Sequence, residues 1–120
     1  MEKKAYIYIL TNSNNSVLYI GVTNNLPKRI AEHKNHTYKG FSDKYNCTKL
    51  VYFEDFSNIK DAIKREKQLK NWHRDWKIDL INKFNSTWKD LSSIGRLYGY
   101  LKAALVRQGG LFFLLVYILK

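Results

Sequence analysis

Cysteine is almost missing from this chain. Cys47 stands alone among 120 residues, so no internal disulfide can form and no cysteine-based zinc site can be assembled. The expectation for that thiol is a small buried or half-buried side chain. Acidic residues are also scarce, ten against twenty-one lysines and arginines, for a formal net charge of +11. Such an imbalance says nothing about fold, but it makes a polyanion the leading partner. Long apolar runs are few. Leu111–Leu119, nine residues, falls well short of the ~20 that a membrane-spanning helix needs. The start of the chain passes straight into a β-prone run without a secretory core, which makes the cytoplasm the expected location. Internal repeats are lacking, as are carboxylates paired at short spacing, a Ser/His/Asp order and a phosphate-cradling glycine loop.

What is present suits a globular domain, with 45% hydrophobic and 15% aromatic residues. Residues 5–12 and 17–23 are β-prone and flank the turn formers Thr11 to Ser16, so they read as a hairpin. Asn24 or Asn25 can cap a helix over residues 26–36, with Pro27 near its first position, where a missing N–H costs nothing. Leu26 and Ile30 define its core side, and Arg29 and His33, four apart, share a face. Residues 39–44 look like a basic loop, residues 48–56 like a third strand. Ser57 or Asn58 caps a second long helix over 59–71, and a third follows over 74–84 with Trp76, Leu80, Ile81 and Phe84 on one side. Trp72 and Trp88 are candidates for stacking on bases, although core packing is the commoner role for tryptophans at helix junctions.

The helix over 59–71 carries an anomaly. Ile59, Ala62, Ile63 and Leu69 form an apolar stripe, and Glu66 falls inside it. A carboxylate there is costly unless it is paired, with Arg65 or Lys70 for instance, or binds a cation. After Leu91 the composition changes: residues 92–120 hold four basic residues and no acid. The expected organisation is one domain over 1–91 and a basic, apolar tail over 92–120. A helix to about Arg107, a turn at Gly109-Gly110 and a terminal strand is one arrangement open to that tail. Localisation at a membrane surface or oligomerisation is one role open to it.

Tyrosines, an arginine, a histidine and a conspicuously placed glutamate together suit phosphodiester hydrolysis. That chemistry needs a positioned nucleophile, charge stabilisation in the transition state and help for the leaving oxygen. Arginine can hold phosphate oxygens bidentately, a lone carboxylate can tether Mg²⁺ or Mn²⁺, and a tyrosine can act as general base.

Tyr6-Ile7-Tyr8 followed by Tyr19-Ile20-Gly21, then Asn25 to Arg29 and Glu32-His33, resembles the GIY-YIG nuclease superfamily. Gly40-Phe41-Ser42, Lys44-Tyr45-Asn46, Lys49 to Tyr52, Arg65 to Lys70 and Trp88 to Leu91 extend the likeness to its small stand-alone bacterial members, over about residues 3–91. The resemblance implies an α+β fold, an α/β sandwich with a three-stranded antiparallel sheet flanked by helices. It also implies a one-metal hydrolysis of DNA, in repair or recombination, by an endonuclease or exonuclease using Mg²⁺ or Mn²⁺. Carried over by position, it makes Tyr8 the general base, Tyr19 the residue that orients the water or the metal's own waters, and Arg29 the phosphate ligand. His33 would share the base role, Glu66 would be the metal ligand, and Asn71, Asn82 or Asn85 would support the site. No small-molecule cofactor is implied and a membrane partner is not expected. The first tripeptide reads Tyr-Ile-Tyr where the superfamily has Gly-Ile-Tyr. The competing function is a non-catalytic nucleic-acid-binding module using the same basic face.

Overall fold

Ala5–Thr11 is apolar or aromatic along nearly its whole length, a pattern that suits a strand covered on both faces. In the computed structural model, which describes residues 4–92, this segment (β1) is the central strand of a three-stranded antiparallel sheet ordered β2-β1-β3. Leu18–Thr23 (β2) and Lys49–Phe56 (β3) flank it. The hairpin between β1 and β2 is closed by its own asparagines. Asn12 Oδ1 accepts the backbone N–H groups of Ser16 at 2.9 Å and Val17 at 3.1 Å, the Asx chemistry that explains an Asn-rich turn. The register opposes Tyr8 to Gly21 and Leu10 to Tyr19. Between β1 and β3 the register slips at Ile9/Leu10, leaving Val51 as an extra residue.

Alternation along β1 sends side chains to two helical layers. Ala5, Ile7 and Ile9 pack with Ala62 and Leu69 of Ile59–Asn71 (α3) and Ile81 of Arg74–Phe84 (α4). Tyr8 and Leu10 pack with Leu26 and Ile30 of Leu26–Lys34 (α1), and with Cys47, Leu50, Phe53 and Leu91. The fold is therefore the expected α+β sandwich. We number the short helix Phe41–Lys44 α2 and retain chain order for the rest.

The helix starts are chemically determined. Asn25 caps α1, its side chain accepting Lys28 N–H at 3.2 Å; Asn58 caps α3, accepting Asp61 N–H at 2.9 Å. Several expectations need correcting. Residues 39–44 are not simply a basic loop but include the single turn α2, entered through Gly40 at φ 126°, a left-handed value that glycine adopts without strain. Ile59 and Ile63 are exposed, so the core seam of α3 is narrower than the apolar stripe suggested and consists of Ala62 and Leu69. Trp76 and Phe84 are likewise exposed, and Ile81 alone of their group is fully buried. Trp72 and Trp88 are partly buried against the α3–α4 core, as tryptophans at junctions usually are. Cys47 is buried and free. Among the described residues no helix is long and apolar enough to cross a membrane. The arrangement considered for residues 93–120 lies outside the described residues.

Candidate active site

Tyr8 is completely buried although it ends in a polar hydroxyl, so that hydroxyl must be satisfied from within. The seat for its ring is Gly21 on the neighbouring strand. A Cβ at Gly21 would stand 2.4 Å from both Cζ and Oη of Tyr8, far inside van der Waals contact. The glycine of the second tripeptide is thus the space into which the tyrosine of the first one lies. From there Tyr8 Oη reaches His33 Nε2 on α1 at 3.0 Å. Tyr19 stands on the same sheet face, its ring centroid 6.2 Å from that of Tyr8 and 5.4 Å from that of His33.

His33 is buried at the C-terminal end of α1, beside Ser42 and the rings of Tyr8, Tyr19 and Tyr38. Ser42 Oγ of α2 is 3.0 Å from Nδ1, and the Tyr38 ring is 4.7 Å away centroid to centroid. Burial, with help from the Arg29 charge, pulls the imidazole down to about 4, so it is neutral at physiological pH. Arg29 lies one turn before His33, its guanidinium carbon 4.4 Å from the Tyr38 ring centre and its Nε 3.3 Å from Glu32. Burial works against that charge, but Tyr8, Tyr38 and Glu32 outweigh it and hold the guanidinium above its ordinary range. Burial pushes the Tyr8 phenol up to about 12, against the downward pull of Arg29 and Tyr19. The Tyr19 phenol is raised too, first by burial and then by Tyr8. Tyr8 therefore sits in a buried site where the nearby Arg29 charge favours the phenolate against the cost of burial.

Glu66 is placed differently. It projects from α3, on the far side of the sheet from α1, at the border of the Ala62–Leu69 seam, with its side chain 16% exposed. Among the described residues its ion pair is with Lys70, one turn on, at 3.5 Å. Arg65, the other partner considered, is taken up by Glu54 on β3 through Nε at 3.1 Å and Nη2 at 3.0 Å, and lies 5.2 Å from the Trp72 ring centre. What connects Glu66 to the tyrosines is the free edge of β2. There an open cleft of about 270 Å³ is lined by Leu18, Tyr19, Ile20, Phe41, Lys70 and Lys77. Tyr19 and the lysine that holds Glu66 are two walls of one space.

The structure thus gathers Tyr8, Tyr19, Arg29 and His33 into one cluster and places Glu66 outside it, one side chain away across the cleft. Of the asparagines considered as supports, Asn85 is committed to the fold. Its amide donates to Val51 O at 3.2 Å and Lys89 O at 2.8 Å and accepts Lys89 N–H at 3.2 Å. Asn82 accepts Trp88 Nε1–H at 2.6 Å. Sequence reasoning assigned no role to Ser42, Tyr38 or Gly21. Gly21 had a signal, since a glycine directly opposite a large side chain marks close approach. Ser42 had only its place after Gly40-Phe41, and Tyr38 had none, because both act across turns that carry no periodicity.

Can these residues hold a divalent cation? Glu66 offers a hard carboxylate oxygen, and the 3.5 Å contact from Lys70 is a loose one that leaves donor capacity unused. Among the described residues no three His, Cys, Asp or Glu side chains converge as a metal cluster. A divalent ion at Glu66 would thus draw the rest of its shell from water and substrate oxygens, as Mg²⁺ commonly does. The residues fit such an ion.

The family model described as the GIY-YIG catalytic domain matches residues 4–79. The UPF0213 protein of Clostridium perfringens is 43% identical over 77 residues, covering 64% of this chain and 82% of its own length. That of Staphylococcus haemolyticus is 39% identical over 82 residues, covering 65% and 94%. The solution NMR structure of the UPF0213 protein BH0048 from Bacillus halodurans shares 22% identity and a TM-score of 0.48, covering 76% of this chain and 96% of that one. The family match takes in both tyrosine tripeptides, α1 and α3, and the chain belongs to the GIY-YIG catalytic domain family, a nuclease-type family that acts on nucleic acid.

Proposed function

We propose that this protein is a divalent-metal-dependent phosphodiesterase that hydrolyses DNA by a one-metal mechanism. The observation that carries the reading is Tyr8: a fully buried phenol, seated on Gly21, 3.0 Å from His33 Nε2 and facing the Arg29 charge. A core tyrosine that served packing alone would have no need of that cation.

In this mechanism Arg29 holds the non-bridging oxygens of the scissile phosphate and answers the charge that builds on them. Tyr8, as phenolate, takes the proton of the attacking water; Tyr19, at the wall of the cleft, orients that water. His33 holds the Tyr8 oxygen in place. Glu66 would hold a Mg²⁺ or Mn²⁺ ion, which when bound would supply Lewis-acid stabilisation of the developing charge. Lys70 and Lys77 on the cleft wall give the backbone of the strand a cationic track.

The test is cleavage of labelled single-stranded, duplex and branched DNA with Mg²⁺ or Mn²⁺. Wild type is compared with Glu66→Ala and Arg29→Ala, with folding checked by circular dichroism. Metal-dependent cutting that falls by about a hundredfold or more in both variants is the expected result. Salt-sensitive binding that survives Glu66→Ala, with no cutting of any substrate, would replace this reading with that of a nucleic-acid-binding module.

A further inference from the structure

Phe41 opens the short helix α2 and is 52% exposed. Single exposed apolar residues are common on protein surfaces and need no explanation. Phe41 is not single. Its ring lies nearly parallel to that of Tyr19, centroids 6.4 Å apart and planes inclined by 20°. The ring of Tyr45, also exposed, is 4.7 Å from it on the other side of the α2 turn in sequence. Tyr19 in turn stands against His33 and Tyr8. A row of rings thus runs from the buried tyrosine cluster out to solvent. Among the described residues, Phe41 is the one exposed large apolar side chain that lines the cleft beside β2.

Charge says what kind of ligand fits such a row. Lys70 and Lys77 share the cleft wall with Tyr19 and Phe41, and the exposed Lys44 lies 5.4 Å from the centre of the Tyr45 ring. The acid of α2, Asp43, is engaged by His36 at 2.9 Å and Lys39 at 3.6 Å, so it offers little repulsion to an anion. An apolar patch alone would suit a protein partner equally well. Flat rings bordered by cations suit a ligand with a planar apolar face and an anionic backbone, which describes an unpaired nucleotide. In a duplex each base is covered by its neighbours, and Phe41 has nothing to stack on unless a base leaves the stack.

We propose that Phe41 is a base-stacking residue. A nucleobase of an unpaired strand packs on its ring beside Tyr45, while Lys70 and Lys77 take the neighbouring phosphates. Trp72 and Trp88, the stacking candidates that the sequence offered, are partly buried against the α3–α4 core and leave this role open. Because every base has a π-face, such a site separates unpaired from paired DNA and is tolerant of sequence. The site stands on the placement of Phe41 and the lysines. Its meaning for substrate choice, that the strand is engaged single-stranded next to the scissile phosphate, rests on the nuclease reading above.

The test is equilibrium binding by the full chain in EDTA, followed by fluorescence anisotropy. Three labelled probes of equal length are compared: a single strand of deoxyadenosines, a single strand of abasic sugar-phosphate units, and a duplex. Phe41→Ala and Phe41→Leu should each weaken binding of the adenine strand by about fivefold to a hundredfold. Both should leave the abasic strand and the duplex within about twofold of wild type, with the salt dependence unchanged, because no phosphate contact is lost. Phe41→Trp should bind the adenine strand as wild type does. A loss shared by leucine and restored by tryptophan is one that packing on Tyr19 does not produce. Lys77→Ala, by contrast, should weaken all three probes and lower the salt slope on the single strands by about 0.7. Adenine-strand binding indifferent to Phe41→Ala, or equal weakening on all three probes, overturns the proposal. Binding and chemistry fail separately. A wild type that cuts nothing yet shows the expected pattern keeps the stacking site and sinks the nuclease reading. A wild type that cuts, with Phe41→Ala binding every probe as tightly, keeps the nuclease and sinks the stacking site.

Discussion

The two faces of the sheet use the same strand for opposite purposes. Toward α3 and α4, β1 presents Ala5, Ile7 and Ile9 to Ala62, Leu69 and Ile81, and charged groups are kept to the rim. Toward α1 and α2 it presents Tyr8, and around it polar groups are brought inside: His33, Ser42 and the Arg29 charge, each matched to a partner. Among the described residues no buried side-chain nitrogen or oxygen lacks a hydrogen bond. One face buries apolar groups, the other buries polar groups that are matched to one another. The first kind of burial yields stability; the second fixes the geometry and charge of a few atoms and costs stability wherever a partner is removed.

That contrast can be broken from either side. The largest separation should come from Tyr8→Phe, which removes one oxygen. Cleavage is expected to fall by about a thousandfold, some 4 kcal/mol in activation free energy. Denaturant unfolding should register no more than the loss of one buried hydrogen bond, about 1–2 kcal/mol. Leu69→Ala on the opposite face should behave in reverse. It should cost about 3 kcal/mol of stability through the cavity it leaves, while kcat of the folded fraction, measured well below the new melting temperature, stays near wild type. An equal fall in kcat would show that the faces are not independent.

Acid sharpens the comparison because it acts on the polar face through His33. The folded-state pKa lies at about 4, below the ordinary 6.5, so the unfolded chain takes up this proton first as pH falls. The contribution of His33 is complete above pH 6.5, is lost progressively between 6.5 and 4, and is flat below that. The upper bound is about 3 kcal/mol. Urea unfolding of wild type and His33→Gln across that window should show a shallower slope in the variant.

Gly21→Ala should cost about 1–3 kcal/mol of stability, because the added Cβ forces the buried Tyr8 ring out of its seat. The same displacement moves Oη off His33, so cleavage should fall by tens-fold, the cost of misplacement. Thermal melts and single-turnover rates on one preparation decide this.

The sequence announced much of this fold through periodicity and caps. The expected ranges for α3 and α4 coincide with the observed Ile59–Asn71 and Arg74–Phe84, and each strand agrees within a residue. Asn25 and Asn58 are readable as caps because side-chain capping is local. Where the reading went astray, the cause was a distance no local pattern encodes. Ile59 and Ile63 have the right spacing for a core stripe, but Arg65 anchors this part of α3 to Glu54 and Trp72, and both isoleucines face outward. A four-residue helix such as α2 is too short to show a period, so Ser42 stayed hidden in an apparent loop. At the site, the tyrosines, Arg29 and His33 were legible as a group through the family resemblance. The position of Glu66 across the cleft was not, because it depends on how α3 crosses the edge of β2. The departure at Tyr6 also becomes intelligible. Position 6 pairs with Thr23 and is only half-buried, whereas position 21 has no room for a Cβ. The first glycine of the motif is dispensable here, and the last one is a steric requirement.

The segment that follows α4 has a consequence for how copies of this protein meet. An antiparallel sheet of three strands exposes two edges, each a template for pairing with another chain. The outer edge of β3 is stapled at Leu50, whose carbonyl accepts Leu91 N–H at 2.8 Å and whose N–H is taken by Asp90 Oδ1 at 3.1 Å, with Lys34 fastening the same carboxylate at 2.7 Å. The β2 edge has the cationic cleft in front of it. Strand addition is therefore obstructed on one side by the chain itself and discouraged on the other by charge. Loosening Asp90 would unlock the β3 side, so aggregation, more than lost activity, is the failure to look for in a substitution at that position.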